Sequence, residues 1–157
     1  MTGILKKGLS SRSVTLIGWI ESIDFPTLDL KSIKAKIDTG ARTTALHATD
    51  IRHFQREGIA WVAFKTVGPE GTGEVEVEAR VHSDRWIKNT SGVPEERIVV
   101  RTEICFGDLR WPIDVSLADR SNMTFPVIVG RAALKNHSIA VHTKRAYLVS
   151  TNPKKHM

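Results

Sequence analysis

One short stretch of the chain has residue types suited to activating water. Asp38, Thr39 and Gly40 follow the alternating apolar positions Ile33, Ala35 and Ile37 and lead into Ala41. Glycine at this point permits a sharp turn and brings backbone N–H groups close to the carboxylate. The Thr39 hydroxyl is placed to brace the loop. Such donors favour an ionised aspartate, and a second carboxylate nearby makes the two acids share one proton. One acid then holds water as general base while the other protonates the substrate carbonyl, so a peptide bond is hydrolysed without a covalent intermediate. Read blandly, the same tripeptide is an Asx-type turn between strands.

The elements around this stretch must hold it. Val14–Glu21 reads as a first strand, stopped by Asp24-Phe25-Pro26, and Ser32–Asp38 as the next, with Lys34, Lys36 and Asp38 opposite its apolar face. Extended chain resumes over Thr43–Ala48. Ala60–Val67 and Glu74–His82 bracket the turn Gly68–Gly73, a hairpin that is either a flap over the cleft or an ordinary exposed hairpin. Ser83–Glu96, which holds Lys88 and Ser91-Gly92, reads as a long loop bordering the site. Strands are expected at Ile98–Phe106 and Arg110–Leu117. Phe125–Val129 is an apolar run ending in Gly130-Arg131, and Arg131–Asn136 is the one helical turn. Short strands are expected near Ile139–His142 and Ala146–Val149. Many short strands with one short helix predict an all-β, closed or nearly closed barrel.

Together, Ile33–Ala48 and Val127–Leu134 resemble the retropepsins, in which an Asp-Thr-Gly-Ala turn is paired with a later apolar strand ending in Gly-Arg. The chain is similar, over about Val14 to Val149, to a bacterial family that carries the label ATP-dependent zinc protease and is associated with the ribosomal-protein glutamate ligase RimK. The matching positions are Ile17-Gly18-Trp19, Lys34–Thr43, Ser91-Gly92, Glu96-Arg97, Arg101-Thr102, Leu117–Arg120, Met123, Pro126 and Gly130-Arg131. The resemblance implies a closed retropepsin-like (acid protease) barrel of six to eight strands, with the Gly130-Arg131 strand threaded beneath the catalytic loop. It implies an aspartic-type peptidase with Asp38 as the catalytic acid, Thr39 and Gly40 holding the loop and Gly130 supporting it. It also implies a protein or peptide substrate with glutamate-extended tails. Lys36 and Arg42, with Ala41 and Arg131, are the expected substrate-binding residues, since cations beside Asp38 attract an acidic peptide. A solvated basic strand face is the alternative use of the lysines.

Three departures shape the expectation. The chain has one Asp-Thr-Gly, and aspartic catalysis needs two carboxylates; the second comes from a homodimer partner or from Asp119, Glu96 or Asp114 in the same chain. Retroviral enzymes carry an acid after Asp-Thr-Gly-Ala that pairs with the Gly-Arg arginine, where this chain has Arg42. Finally, the label's zinc and ATP find no motif: no His-Glu-x-x-His, no recognised ligand spacing among His47, His53, His137 and His142, and no Gly-x-x-x-x-Gly-Lys-Ser/Thr loop. Cys105 sits in an apolar context, as a buried thiol does. No cofactor and no metal are expected. The rival reading is a non-catalytic pepsin-like module that binds acidic peptides.

Composition narrows the classes further. The 157 residues are enough for one core, with 41% hydrophobic and 25% charged residues. The expected division is a basic tail over 1–12, one domain over 13–150 and a basic tail over 151–157. The formal charge of +6 comes mostly from Lys6, Lys7, Arg12, Lys154 and Lys155; the 18 basic residues left nearly balance 17 acidic ones. That balance, with 6% aromatic residues, argues against a nucleic-acid partner. No apolar run suits a membrane span, and a single cysteine fits a reducing, cytoplasmic setting.

Overall fold

Residue alternation along β3, Leu30–Asp38, sets the geometry of everything near the Asp-Thr-Gly turn. Ile33, Ala35 and Ile37 are buried, whereas Lys34, Lys36 and Asp38 are half-buried on the other face, as a strand with one core-facing side requires. The computed structural model describes residues 13–88 and 91–152, backbone only at 87 and 88. The expected N-terminal tail, Asn89-Thr90 and the end of the C-terminal tail lie outside the described residues, as does the side chain of Lys88.

The strands are β1 (Thr15–Gly18), β2 (Ile20–Phe25), β3, β4 (Thr44–His47), β5 (Thr49–Arg56), β6 (Ile59–Val67), β7 (Glu74–Lys88), β8 (Pro94–Phe106), β9 (Leu109–Ala118), β10 (Val127–Gly130) and β11 (Ile139–His142). Six of them close a ring in the order β2-β3-β10-β4-β9-β8, sealed where Asp24 of β2 pairs with Cys105 of β8. β7, β6 and β5 continue outward from β8 as an antiparallel extension, and β1 pairs separately and in parallel with β11. The fold is therefore all-β, with a closed six-stranded barrel inside the expected range of strand number. Ile23, Phe25, Ile33, Leu46, Phe64, Val100, Ile104, Phe106, Val127 and Val129, all almost fully buried, belong to one continuous core. Among the described residues no helix is long and apolar enough to cross a membrane.

Several local expectations are corrected. The first strand is divided at Trp19, whose N–H donates to the Arg145 carbonyl and whose carbonyl accepts from Ile37 N–H. Thr49–Arg56, which no apolar period announced, is a strand because it pairs with β6; its residues are mostly exposed. Ser83–Glu96 is not a long loop. β7 runs on to Lys88 and β8 begins at Pro94, and the two form an arm held by a backbone ladder that needs few apolar side chains. Helical structure after Gly130 is a single 3-10 turn, Arg131–Ala133, one of three such turns among the described residues, beside Pro26–Leu28 and Pro69–Gly71.

Ala146–Val149 is not a strand, and a buried acid explains why. Glu21, fully buried on β2, accepts hydrogen bonds from Gly18 N (2.6 Å), Leu148 N (2.9 Å), Ser150 N (3.1 Å) and Ser150 Oγ. A side-chain carboxylate thus takes N–H groups that a ladder would have used.

Candidate active site

The Asp38 turn is held by backbone contacts from two distant segments. β10 lies parallel to β3, so that Gly130 is in register with Asp38. Arg131 N donates to Ala41 O (2.9 Å) and Ala132 N to Arg42 O (3.0 Å). The Arg131 guanidinium donates to the carbonyls of Gly40 (3.2 Å) and Thr39 (3.4 Å). Gly130 N donates to Thr44 Oγ1 at 3.1 Å. A Cβ on Gly130 would lie 2.5 Å from Thr43 O and 2.7 Å from the Arg42 carbonyl carbon, so the requirement for glycine here is close approach of backbone to backbone.

Within the turn, Gly40 N donates to Asp38 Oδ1 at 3.1 Å and Ala41 N to Asp38 O at 3.1 Å. A Cβ on Gly40 would come 3.3 Å from Asp38 Oδ1. The pressure on this position is therefore crowding of the carboxylate and not backbone conformation, since its φ is not positive. The expected brace from Thr39 is supplied by another residue: no described residue bonds the exposed Thr39 hydroxyl, and the buried Thr44 does the bracing through Gly130 N. Thr44 was not singled out from the sequence, because its partner lies 86 positions away.

Among the described residues Arg131 has no acid partner; its guanidinium is occupied by the turn carbonyls. Ala41 uses both its N–H and its carbonyl in the same scaffold. Lys36 stays on the Asp38 face of β3, and its neighbour Lys34 holds its ammonium 5.2 Å from the centre of the Phe125 ring. A further cation comes from Arg120, whose Nε donates to Phe125 O at 3.0 Å. Partial burial lowers the Arg120 pKa, and the charge of Asp38 opposes that shift.

Each in-chain candidate for the second acid has other partners. Asp119 accepts from the Ser121 N–H (2.9 Å) and hydroxyl and lies 3.9 Å from His47 Nδ1; the Ser121 bonds hold its carboxyl below the usual range. Asp114 pairs with Arg101 at 3.1 Å and lies 3.9 Å from His82. Glu96 faces His53. Among the described residues, Asp38 has no second carboxylate hydrogen-bonded to it.

Beside the turn lies an open groove of about 740 Å³. Arg42, Thr43 and Ala132 carry it up to the braced turn, and Arg85, Arg97 and Arg101 line its far wall. Asp38 itself is not among the lining residues. Arg85 and Arg97 stand directly opposite each other on β7 and β8, a placement of like charges that costs stability in a sheet. Arg101 is paired with Asp114, whereas Arg42, Arg85 and Arg97 form no ion pair among the described residues. The Gly68–Gly73 hairpin is elsewhere. Glu70 at its tip shares a small cleft with Ser22, Asp24 and Ser32, at the opposite end of β3 from Asp38, so it does not act as a flap over this turn.

The described residues include no α-helix whose N-terminus would face a phosphate. For zinc one donor set fits: His53, Asp84 and Glu96 each place a ligand atom within 4.8 Å of the others. Sequence spacing hid it, because the three residues come from β5, β7 and β8.

Comparison with known proteins agrees with this geometry. Residues 16–152 match the RimB-like family model, described as retropepsin-like aspartic endopeptidase RimB. Curated relatives named "Probable alpha-L-glutamate ligase" include one from Shewanella pealeana, 35% identical over 126 residues. Another, from Desulfotalea psychrophila, is 38% identical over 127 residues. Each match covers 79% of this chain but only 28% and 27% of the relative, so the chain spans little more than a quarter of their length. A crystal structure of a Legionella pneumophila protein of unknown function superposes with a TM-score of 0.72 at 27% identity, covering 88% of this chain and all of that one.

Proposed function

This chain belongs to the RimB-like, retropepsin-like family, and on that premise we propose that it is an aspartic peptidase in which Asp38 activates water against peptide bonds of glutamate-rich protein tails. The observation that carries the reading is the Asp38 turn itself. A half-buried carboxylate takes one hydrogen bond from Gly40 N, which leaves its other lone pairs for water, and the turn around it is fixed by Gly130, Arg131 and Thr44. Preorganisation of this kind lets the acid hold water without rearranging during the reaction.

In the proposed mechanism Asp38 takes a proton from water, the oxygen attacks the scissile carbonyl, and a second carboxylic acid protonates the carbonyl oxygen. Asp38 then gives its proton to the leaving nitrogen as the C–N bond breaks, and a hydroxyl of the tetrahedral diol returns a proton to the second carboxylate. That second acid is Asp38 of another copy in a symmetric homodimer. Arg131 is a positioning residue for the turn. Lys36 and Arg42 flank the site, and the unpaired Arg42, Arg85 and Arg97 supply anchors for acidic side chains along the groove. The like-charge pair Arg85 and Arg97 supports an anionic ligand, since an anion between them relieves their repulsion. Relatives named for glutamate ligation that carry a segment like this chain support the same substrate class.

The rival, a module that binds acidic peptides without cutting them, is favoured by the isolated Asp38 carboxylate. One comparison separates the two. Wild type and Asp38→Asn are incubated with a peptide ending in several glutamates, between mildly acidic and neutral pH, and products are followed by mass. Cleavage by wild type and a loss of at least 1000-fold in the variant are expected, the scale of losing a catalytic acid–base group. Equal cleavage by both removes Asp38 from the chemistry; retained binding with no cleavage by either selects the binding module.

A further inference from the structure

We propose that His53, Asp84 and Glu96 bind a divalent cation of the zinc class, which fastens the β7–β8 arm to β5. The two strands of the arm present different chemistry on their two faces. Asp84 and Trp86 alternate with Ser83 and Arg85 along β7, and in β8 Glu96 and Ile98 alternate with Arg97 and Val99; Arg85 is opposite Arg97 and Trp86 opposite Glu96. Ser83, Arg85, Arg97 and Val99 line the arginine groove. Asp84 and Glu96 are diagonal neighbours on the reverse face, where His53 of β5 meets them.

Three groups able to ligate a cation converge there. His53 Nε2 is 3.1 Å from Glu96 Oε2 and 3.3 Å from Oε1, and Asp84 completes a set within 4.8 Å. The His53–Glu96 spacing is that of a hydrogen-bonded pair, and it is also close to the roughly 3 to 3.5 Å that separates donors sharing one ion at zinc-like bond lengths. Among the described residues no lysine or arginine is ion-paired with Asp84 or Glu96, and the nearby guanidinium groups project into the groove on the other face. Two carboxylates and an imidazole nitrogen without a compensating cation need a proton or a metal ion between them. One imidazole with two carboxylates suits zinc or a similar first-row ion better than magnesium or calcium, which prefer all-oxygen sets.

The proposal stands apart from the peptidase reading, because its readouts are binding and backbone protection. Zn²⁺ is titrated calorimetrically into the full chain at neutral pH, with His53→Ala, Glu96→Gln and, as a control carboxylate beside a histidine, Asp114→Asn. One equivalent is expected in wild type and in Asp114→Asn, with affinity at least tenfold weaker in the other two variants. The expected companion result is Zn²⁺-dependent slowing of amide hydrogen exchange over residues 83–86 and 95–98 in wild type but not in Glu96→Gln. His53 and Glu96 side chains are 46% and 28% exposed, so both variants are expected to fold, and thermal unfolding checks it. Absence of saturable binding, or equal affinity in all proteins, overturns the site. Binding at the trio without slower exchange in the arm overturns the fastening.

Discussion

Gly130 is the residue at which this site tolerates least. Its missing side chain lets β10 lie against the Arg42–Thr43 backbone, and those atoms cannot retreat without moving the turn that carries Asp38. Gly130→Ala is therefore expected to cost about 3 kcal/mol, the upper end for overpacking, read as a lower urea midpoint with an unchanged m-value. Asp84 offers the opposite sign. Its folded pKa is raised, so its contribution is a penalty that is absent below the unfolded carboxylate pKa and grows as pH rises through the folded one. In chelator, Asp84→Asn should thus melt higher than wild type at pH 7 and together with it near pH 3; a variant that melts lower at pH 7 contradicts the crowding of Asp84 with Glu96. In Zn²⁺ the order at pH 7 should reverse, since wild type alone keeps the full ligand set.

Elements were legible in the sequence where a local signal marked them. β3 shows its period of two, and its apolar face is buried as read; the apolar run before Gly130 becomes β10 in the register that puts Gly130 beside Asp38. The barrel followed from such strands. β5 and the outer arm of β7 and β8 were not legible, because ladders at a sheet extension are held by backbone hydrogen bonds and show little apolar pattern. The same gap hid function. A nearly neutral domain gave no hint that Arg42, Arg85, Arg97 and Arg101 meet in one groove, since their meeting depends on pairing between β7, β8 and β9. Reversing one of these charges tests the groove as a unit. Arg97→Glu should raise KM for a polyglutamate peptide at least tenfold at low salt while leaving kcat within about threefold. The wild-type KM should itself rise with ionic strength, as screened attraction requires, and the variant should lose most of that dependence. A KM that ignores both changes removes the groove from substrate binding.

At the scale of the whole molecule the decisive feature is an Asp-Thr-Gly turn with one carboxylate. Asp119, Asp114 and Glu96 are each engaged away from Asp38, whereas Thr39 and Gly40 are exposed at the tip of the turn. A two-fold axis passing beside that tip would bring two copies of Asp38 together and complete the acid pair without any change within the barrel. Two consequences follow from mass action. Activity per protomer should fall on dilution through the dimer dissociation range, in step with the dimer fraction seen by sedimentation. Mixing decides between two-chain and one-chain catalysis, because in a dimer that needs both Asp38 residues the inactive Asp38→Asn chain captures wild-type partners. A tenfold excess of Asp38→Asn, equilibrated with wild type above the dissociation constant, should then suppress activity about tenfold. If the rate instead stays proportional to wild-type protomer at every dilution and is untouched by the variant, the second acid lies within the chain, and the turn works as a monomer.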